Sequence, residues 1–184
     1  KGSLHMQCGG KVDVFIKVFK PNEKLLLVGG GHVSLKIYEL AKMMDFYTVI
    51  FDDREEFCNK DRFPDADELM QGEISEKLLE YNVDENCYVI IVTRGHEYDE
   101  FALKTVLDSG AKYIGMIGSK SKTKYIMDKL KNEGYSTEKL SKIYAPIGIN
   151  LGGQSPVEVA FSIMSEVLLI KNGGTLSHMK EIMK

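Results

Sequence analysis

A run of three glycines follows a short apolar stretch near the start of the chain and could bind a phosphate. Residues 25–28 are apolar, and Gly-Gly-Gly-His follows directly as residues 29–32. As a G-x-G-x-x-G pattern, the segment has Gly29 and Gly31 at the first two glycine positions and the small Ser34 at the third. The two glycines would permit a tight turn and a close approach of a phosphate to the following helix. The alternative is a glycine-rich turn that only connects a strand to a helix.

Two carboxylates lie about 20 residues beyond the glycine run, at the spacing typical of dinucleotide-binding folds. Asp52 and Asp53 follow a second apolar segment at residues 48–51. An acidic side chain at this place can accept a hydrogen bond from a ribose hydroxyl. Arg54 leaves recognition of an NADP-type phosphate open, although a solvated surface arginine explains it equally well. The glycines and the acids together predict a phosphate or nucleotide site.

Polar side chains are also concentrated after the apolar run at residues 88–92. Thr93, Arg94, His96 and Asp99 occupy a predicted strand-to-helix turn. A helix cap would account for Thr93 or Asp99 alone, but not for the whole group. We therefore expect these four side chains to contact a ligand.

A further polar segment begins at Gly118. Ser119 and Lys120 precede or open a predicted helix, and Lys122 and Lys124 follow. Lysines in the first turn of a helix oppose its macrodipole at a cost of roughly 0.3–1 kcal/mol each. A bound anion would offset this cost, whereas a solvated basic face would tolerate it.

One more helix start is indicated at Ser155. Ser155 fits an N-cap, with Pro156 at the first helical position and Glu158 completing a capping box. Helix geometry explains these residue types, so the preceding Gln154 is the better candidate for contacting a ligand.

Alternating strand and helix patterns surround these motifs. Apolar runs typical of buried parallel strands alternate with apolar residues at helical spacing. Strands are predicted at residues 25–28, 48–51, 68–70, 88–92 and 113–117, helices at about 33–44, 98–107, 122–131 and 156–171, and a short extended piece near 143–144. We predict an α/β fold, a Rossmann-like doubly wound and mostly parallel sheet with strand order 3-2-1-4-5. Ligands bind at the carboxyl ends of the strands in such a sheet.

The first residues of the chain suggest a second domain. Residues 12–18 alternate between apolar and polar types and predict a half-buried strand without a partner in the sheet. We assign residues 1–20 to the end of a preceding domain and residues 21–184 to the Rossmann-like domain. The unpartnered strand also leads us to expect a paired or swapped homodimer.

Composition excludes several classes of protein. The 184 residues carry 24 Lys and Arg against 27 Asp and Glu, a net charge of −3, which argues against broad nucleic-acid binding. No apolar run reaches the roughly 20 residues of a membrane span. Cys8, Cys58 and Cys87 are widely spaced, so we expect no disulfide framework and a cytoplasmic location. The histidines match no metal-ligand spacing.

Together the motifs resemble the XdhC/CoxI family of xanthine dehydrogenase accessory factors. The resemblance is carried by Gln7-Cys8-Gly9-Gly10, Gly29-Gly30-Gly31-His32-Val33, Asp52-Asp53-Arg54, Arg62-Phe63-Pro64, Thr93-Arg94-Gly95-His96 with Asp99, Tyr113 through Lys120, Pro146-Ile147-Gly148, and Ser155 through Glu166. It covers nearly the whole chain, as the C-terminal Rossmann domain and the end of the N-terminal domain. Two residues depart from the family pattern. Ser34 lies where a glycine or another small residue is frequent, and Asn150 lies where an acidic residue is frequent.

The resemblance implies a protein that binds the molybdenum cofactor (molybdopterin) and protects it while its terminal sulfido ligand is installed. Delivery to a xanthine dehydrogenase-type apo-enzyme would follow, with a cysteine desulfurase as the other partner. The phosphate would lie at residues 29–32, and polar groups near Thr93 and Gly118 would meet the pterin or dithiolene end. Cys8 is implied as a contact to molybdenum or sulfur.

The predicted cofactor-binding set is Cys8, Gly29, Gly31, His32, Asp52, Asp53, Thr93, Arg94, His96, Asp99, Gly118, Ser119, Lys120 and Gln154. We assign no catalytic residue, and we favour a binding and delivery factor over an enzyme. An NAD(P)-dependent oxidoreductase is the first alternative, with its chemistry at His32, His96 or Asp99. The second is a nucleotide-sensing regulatory domain, which would need neither Cys8 nor the polar group at residues 93–99.

Overall fold

A five-stranded parallel sheet lies at the centre of the computed structural model, which describes residues 14–16 and 23–182. Its strands are β1 (Lys24–Val28), β2 (Tyr47–Asp52), β3 (Glu68–Gln71), β4 (Cys87–Ile91) and β5 (Tyr113–Met116). They lie in the order β3-β2-β1-β4-β5. All neighbouring strands run parallel. The predicted fold class, a Rossmann-like doubly wound sheet of order 3-2-1-4-5, is confirmed.

Helices cover both faces of this sheet. They are α1 (His32–Met43), α2 (Ile74–Glu80), α3 (His96–Val106), α4 (Lys120–Asn132), α5 (Thr137–Leu140), α6 (Pro156–Asn172) and α7 (Met179–Ile182), and a 3-10 turn lies at Glu55–Phe57. The four long helices, α1, α3, α4 and α6, correspond to the four predicted ones. The sequence did not predict α2, α5 and α7, because an apolar repeat over one or two turns is too short to recognise.

Each central strand buries side chains on both faces of the sheet. In β1, Leu25 and Leu27 pack with α1 and α6, whereas Leu26 and Val28 pack with α2, α3 and α4. All four side chains are fully buried. Burial on both faces explains why the strands appear in the sequence as continuous apolar runs rather than as alternating ones. The helices α1 and α3 begin on opposite faces and therefore flank the carboxyl ends of β1 and β4.

The long helix α6 runs from the carboxyl ends of the strands toward their amino ends. Its last turn carries Lys171, which forms an ion pair with Glu23 just ahead of β1. Its first turn has the predicted capping box, in which Ser155 and Glu158 bond reciprocally. The start of α6, with Gln154, therefore lies at the edge where the strands end.

The chain extends the sheet beside β5 at the predicted position. A single parallel bridge joins Gly115 to Tyr144. Glu166 of α6 fastens the segment that follows, because its carboxylate accepts hydrogen bonds from the Tyr113 hydroxyl at 2.6 Å and from the Gly148 N–H at 2.9 Å. Burial raises the pKa of Tyr113, so this hydroxyl keeps its proton.

The described residues 14–16 lie in no strand, and their side chains are exposed. The rest of the predicted strand at residues 12–18 lies outside the described residues, and so does Cys8. The domain boundary and the homodimer therefore stay predictions. Within the described part of the chain, no helix combines the length and the apolarity needed to cross a membrane.

Candidate functional site

The loops after β1 and β4 lie against each other at the carboxyl ends of two neighbouring strands. Gly29 has a φ of +108°. A Cβ on this residue would lie 2.6 Å from the carbonyl oxygen of Val92 and 3.0 Å from the Cα of Thr93. Both the turn and the close approach therefore require glycine. This is the point where the strand order reverses, which is where sheets of this kind bind ligands.

The other two glycines of the turn differ in their surroundings. A Cβ on Gly30 would overlap the carbonyl oxygen of Phe57. Gly31 is the N-cap of α1, and a Cβ there would meet no described atom within 4 Å. The buried hydroxyl of Ser34 donates to the carbonyl oxygen of Gly29 and ties the turn to the helix. Gly31 thus combines an open Cβ position with a place at the N-terminus of α1, where the helix dipole favours an anion.

Asp52, one of the two predicted ribose-binding acids, is buried and engaged by the protein itself. Its carboxylate accepts hydrogen bonds from the Gly30 N–H at 2.7 Å and from the Arg54 backbone N–H, Nε and Nη2 at 3.0, 2.8 and 2.9 Å. Burial raises the pKa of Asp52, but the hydrogen bonds from Arg54 and Gly30 more than offset this effect, so the pKa lies below its ordinary value. A ribose hydroxyl would have to displace one of these bonds.

Asp53 is more exposed and forms an ion pair across the crevice. Its Oδ2 lies 2.7 Å from Nη2 of Arg94, so the pair joins the loops after β2 and β4 above the end of β1, which lies between them. The same Nη2 donates to the Tyr98 hydroxyl at 2.9 Å. An ion pair between partly exposed side chains contributes only about 0–1 kcal/mol. Arg94 can therefore exchange Asp53 for an anionic ligand at little cost.

A second ion pair, between Asp99 and Lys122, joins the first turn of α3 to the first turn of α4. The Asp99 side chain is fully buried, whereas Lys122 keeps 25% of its side chain exposed. Asp99 Oδ1 also accepts from the Thr93 hydroxyl at 2.6 Å and from the Thr93 N–H at 3.1 Å. Asp99 thereby fixes the ammonium group of Lys122 near the ends of β4 and β5.

Several other predicted residues lie at the starts of helices on the same edge of the sheet: His32 and Lys120 are exposed first residues of α1 and α4, Ser119 is the N-cap of α4, Gly118 precedes it, and Gln154 is exposed ahead of α6. The Ser119 hydroxyl accepts from the Lys122 N–H at 3.2 Å and so serves the cap. The structure does not describe the side chain of His96, and Cys8 lies outside the described residues, so both assignments stay predictions. Among the described residues, no cluster of His, Cys, Asp or Glu is arranged to hold a metal ion.

Arg62 belongs to the same region, although no individual role was predicted for it. Its Nε donates to the carbonyl oxygen of Gly30 at 2.8 Å. Arg62 and Arg54 both pack on the ring of Phe57, at 5.0 and 3.7 Å from the ring centroid. The Nη2 atom of Arg62 is buried without a hydrogen-bond partner among the described residues. The Arg-Phe-Pro motif at residues 62–64 can be recognised in the sequence. No local sequence pattern, however, indicates that Arg62 contacts the glycine turn 32 residues earlier in the chain.

Two curated proteins match most of this chain. The first is "Uncharacterized protein YqeB" of Escherichia coli (strain K12), with 30% identity over 166 residues, covering 90% of this chain and 30% of that protein. The second is a probable xanthine dehydrogenase subunit of Bacillus subtilis (strain 168), with 25% identity over 156 residues, covering 85% of this chain and 45% of that protein. The chain thus spans less than half the length of either relative.

Solved structures and a family comparison agree with this match. A crystal structure of a xanthine dehydrogenase from Bacillus halodurans superposes with a TM-score of 0.73 and 29% identity, covering 85% of this chain and 44% of that one. The chuY protein of E. coli CFT073 has a TM-score of 0.51 at 12% identity, covering 78% of this chain and 89% of that one, and shares the fold alone. The family described as XdhC Rossmann domain matches residues 25–167, and the chain therefore belongs to the XdhC family.

Proposed function

We propose that the protein binds the molybdenum cofactor and acts as an accessory factor for a xanthine dehydrogenase-type molybdenum hydroxylase. The observation that carries the proposal is the open space at Gly31, the N-cap of α1, at the carboxyl edge of the sheet. Membership of the XdhC family and the xanthine dehydrogenase names of two matched proteins support it. We assign the chain binding and delivery rather than turnover.

The residues at this edge fit a phosphorylated pterin. Gly31 offers backbone approach at the positive end of a helix. Both bonds that Arg94 makes to Asp53 and Tyr98 leave from Nη2, so Nε and Nη1 keep hydrogens that can bind two phosphate oxygens. Asp53, once released by Arg94, would accept hydrogen bonds from pterin N–H groups. The bound cofactor would supply redox chemistry to the enzyme that receives it, and this chain's residues bind and orient it.

Asp52 is not available to a ribose hydroxyl, and the preference for a pterin over NAD(P) rests on membership of the XdhC family. A Rossmann dinucleotide site needs a carboxylate that is available to the ribose hydroxyls. Asp52 is 1% exposed and is bound to Gly30 and Arg54. Arg54 in turn is held by Asp52, which draws it away from recognition of an NADP-type phosphate.

The partners follow from the proposed role. We propose that the apo-form of a xanthine dehydrogenase-type enzyme receives the cofactor, and that a cysteine desulfurase supplies sulfur to it while it is bound. Cys8 would contact the molybdenum or the sulfur. We also retain a homodimer formed through residues 12–18 as part of the proposal.

Co-purification tests the proposal directly. The chain is produced in cells that synthesise the molybdenum cofactor, purified, and denatured, and the pterin fluorescence released is measured. We expect bound pterin in the wild type and at least about tenfold less in Gly31→Val, because its side chain fills the phosphate position at a cost of about 1.4 kcal/mol or more. Gly110→Ala is the matched control, since a Cβ there makes only ordinary contacts, 3.6 Å or more away. Absence of pterin together with tight NAD(P)H binding would overturn the proposal in favour of an oxidoreductase.

A further inference from the structure

A cleft of about 550 Å³ opens between the first turns of α3 and α4, beyond the ends of β4 and β5. It is separate from the glycine turn, which leads into α1 on the other face of the sheet. The lining side chains include two cations, a hydroxyl and an aromatic ring; the residues are Arg94, Gly95, Ser121, Lys122 and Tyr125. A cation from the loop after β4 and a cation from the first turn of α4 thus line one open space.

Lys122 is held in position for a ligand. The fully buried Asp99 carboxylate pairs with its ammonium group. An ammonium group has three donor hydrogens, so the pair with Asp99 leaves donors that can point into the cleft. Asp99 is itself fixed by two hydrogen bonds from Thr93. The ammonium group therefore cannot move away without leaving a buried carboxylate unpaired, which is costly.

The charges at the start of α4 indicate the sign of the occupant. The first turn of α4 contains no acidic residue, and Lys120, Lys122 and Lys124 all lie close to its positive end. An oxyanion in the cleft would offset this unfavourable charge distribution. The hydroxyl of Thr123 is buried without a partner among the described residues and lies 3.3 Å from where a Cβ of Gly118 would be. An unused donor therefore remains at the base of the same loop.

We propose that this cleft is an oxyanion subsite, held by Arg94 and Lys122, for a phosphoryl or equivalent anionic group. The inference rests on the proposed function: the ligand at the glycine turn carries a second anionic group, and that group occupies the cleft. Arg94 lines the cleft and is also bonded to Asp53 in the loop after β2, so it joins the cleft to the neighbouring loop of the same edge. The ligand class is thus a phosphorylated heterocycle with two separate anionic ends, rather than one with a single phosphate.

Titration with inorganic phosphate, followed by the backbone amide signals in NMR, tests the subsite without the natural ligand. We expect shifts at Ser121 and Gly95 in addition to Gly31. Arg94→Gln should raise the apparent Kd for phosphate, measured from the shifts at Ser121, by about tenfold, as expected for loss of a charge-assisted hydrogen bond. Lys131→Gln removes the same charge from the exposed far end of α4 and should leave this Kd within about twofold of the wild type.

A second measurement links the cleft to the ligand. Lys122→Gln and Arg94→Gln should each lower the pterin retained on purification by at least about fivefold, whereas Lys131→Gln should not. Lys122→Gln can unfold the protein because it leaves the buried Asp99 without its ion pair. Arg94 pairs with the partly exposed Asp53, so Arg94→Gln should stay folded and keeps the test valid. Shifts confined to Gly31, or equal losses in Lys131→Gln, would overturn the subsite. Phosphate binding in the cleft with unchanged pterin retention would show that the cleft binds free phosphate only and would overturn the second anionic end. In each of these outcomes the wild-type protein still carries pterin, whereas the proposed function fails when the wild-type protein carries none.

Discussion

Substitutions in the glycine turn should separate the residues that serve the fold from the one that serves the ligand. Gly30→Ala places a methyl group against the carbonyl oxygen of Phe57, and overpacking of this kind costs about 1–3 kcal/mol. In a protein of this size 1 kcal/mol corresponds to roughly 2–4 °C in Tm. Gly31→Ser instead meets open space and introduces a residue favoured at a helix N-cap. We expect its unfolding free energy to stay within about 0.5 kcal/mol of the wild type.

The effect on ligand binding should run in the opposite order. Gly31→Ser and Gly31→Val put atoms into the space that a phosphate needs to reach the first N–H groups of α1. A loss of about 1.4 kcal/mol weakens binding tenfold, and the larger Val side chain should exceed this value. Gly30→Ala, by contrast, adds no atom at Gly31, so at temperatures where it is folded it should lose less ligand affinity than either Gly31 variant.

Thermal unfolding and pterin content, measured on the same preparations, check this assignment. The expected pattern is a lower Tm for Gly30→Ala with more pterin retained than in either Gly31 variant, and a nearly unchanged Tm with lost pterin for Gly31→Ser. Retained pterin in a well-folded Gly31→Val variant would place the phosphate elsewhere and refute the reasoning from the open space at Gly31.

Two further predictions concern the carboxylates beneath the site. Asp99→Asn should lower the free energy of unfolding, measured in urea, by about 1–3 kcal/mol, because the ion pair with Lys122 is lost. The control Glu138→Gln removes an exposed and distant ion pair and should change this free energy by less than about 0.5 kcal/mol. Equal changes in the two variants would contradict the structural role of Asp99. Asp52 has its folded-state pKa below its unfolded value because Arg54 and Gly30 outweigh the effect of burial, so its stabilisation is present above about pH 4 and is lost as the pH falls through the folded pKa. Asp52→Asn should flatten the acid side of the stability profile, and an unchanged acid limb would contradict this sign.

The sheet could be predicted closely from the sequence because four of its five strands, all except β3, combine a short apolar run with a turn signal. The β4 segment from Cys87 to Ile91 is buried throughout, and such a run needs no tertiary information to identify. The helix α2 was missed because only Ile74 and Leu78 mark its buried side. One repeat of the helical period is too little to separate a helix from a loop.

The site was harder to predict than the sheet, because sequence spacing does not fix which partner a charged side chain takes. Asp52 and Asp53 are adjacent and chemically identical, yet one is buried against Gly30 while the other pairs with Arg94, 41 residues away. That choice depends on which side of β2 each residue faces and on the position of the glycine turn. The sequence therefore indicated that acids lie near the turn, but not that the conventional ribose acceptor is already engaged by the protein.

The ion pairs of the cations also explain how the carboxyl edge of the sheet, which carries many polar side chains, remains stable before a ligand binds. Arg54 is paired with the buried Asp52, and Lys122 with the buried Asp99. Arg94 differs, because its carboxylate partner is partly exposed and the bond is weak. A ligand anion therefore displaces Asp53 from Arg94 more easily than it breaks either of the buried pairs. The two buried pairs keep the loops in place, and Arg94 is the residue that the structure leaves able to change partners when an anion arrives.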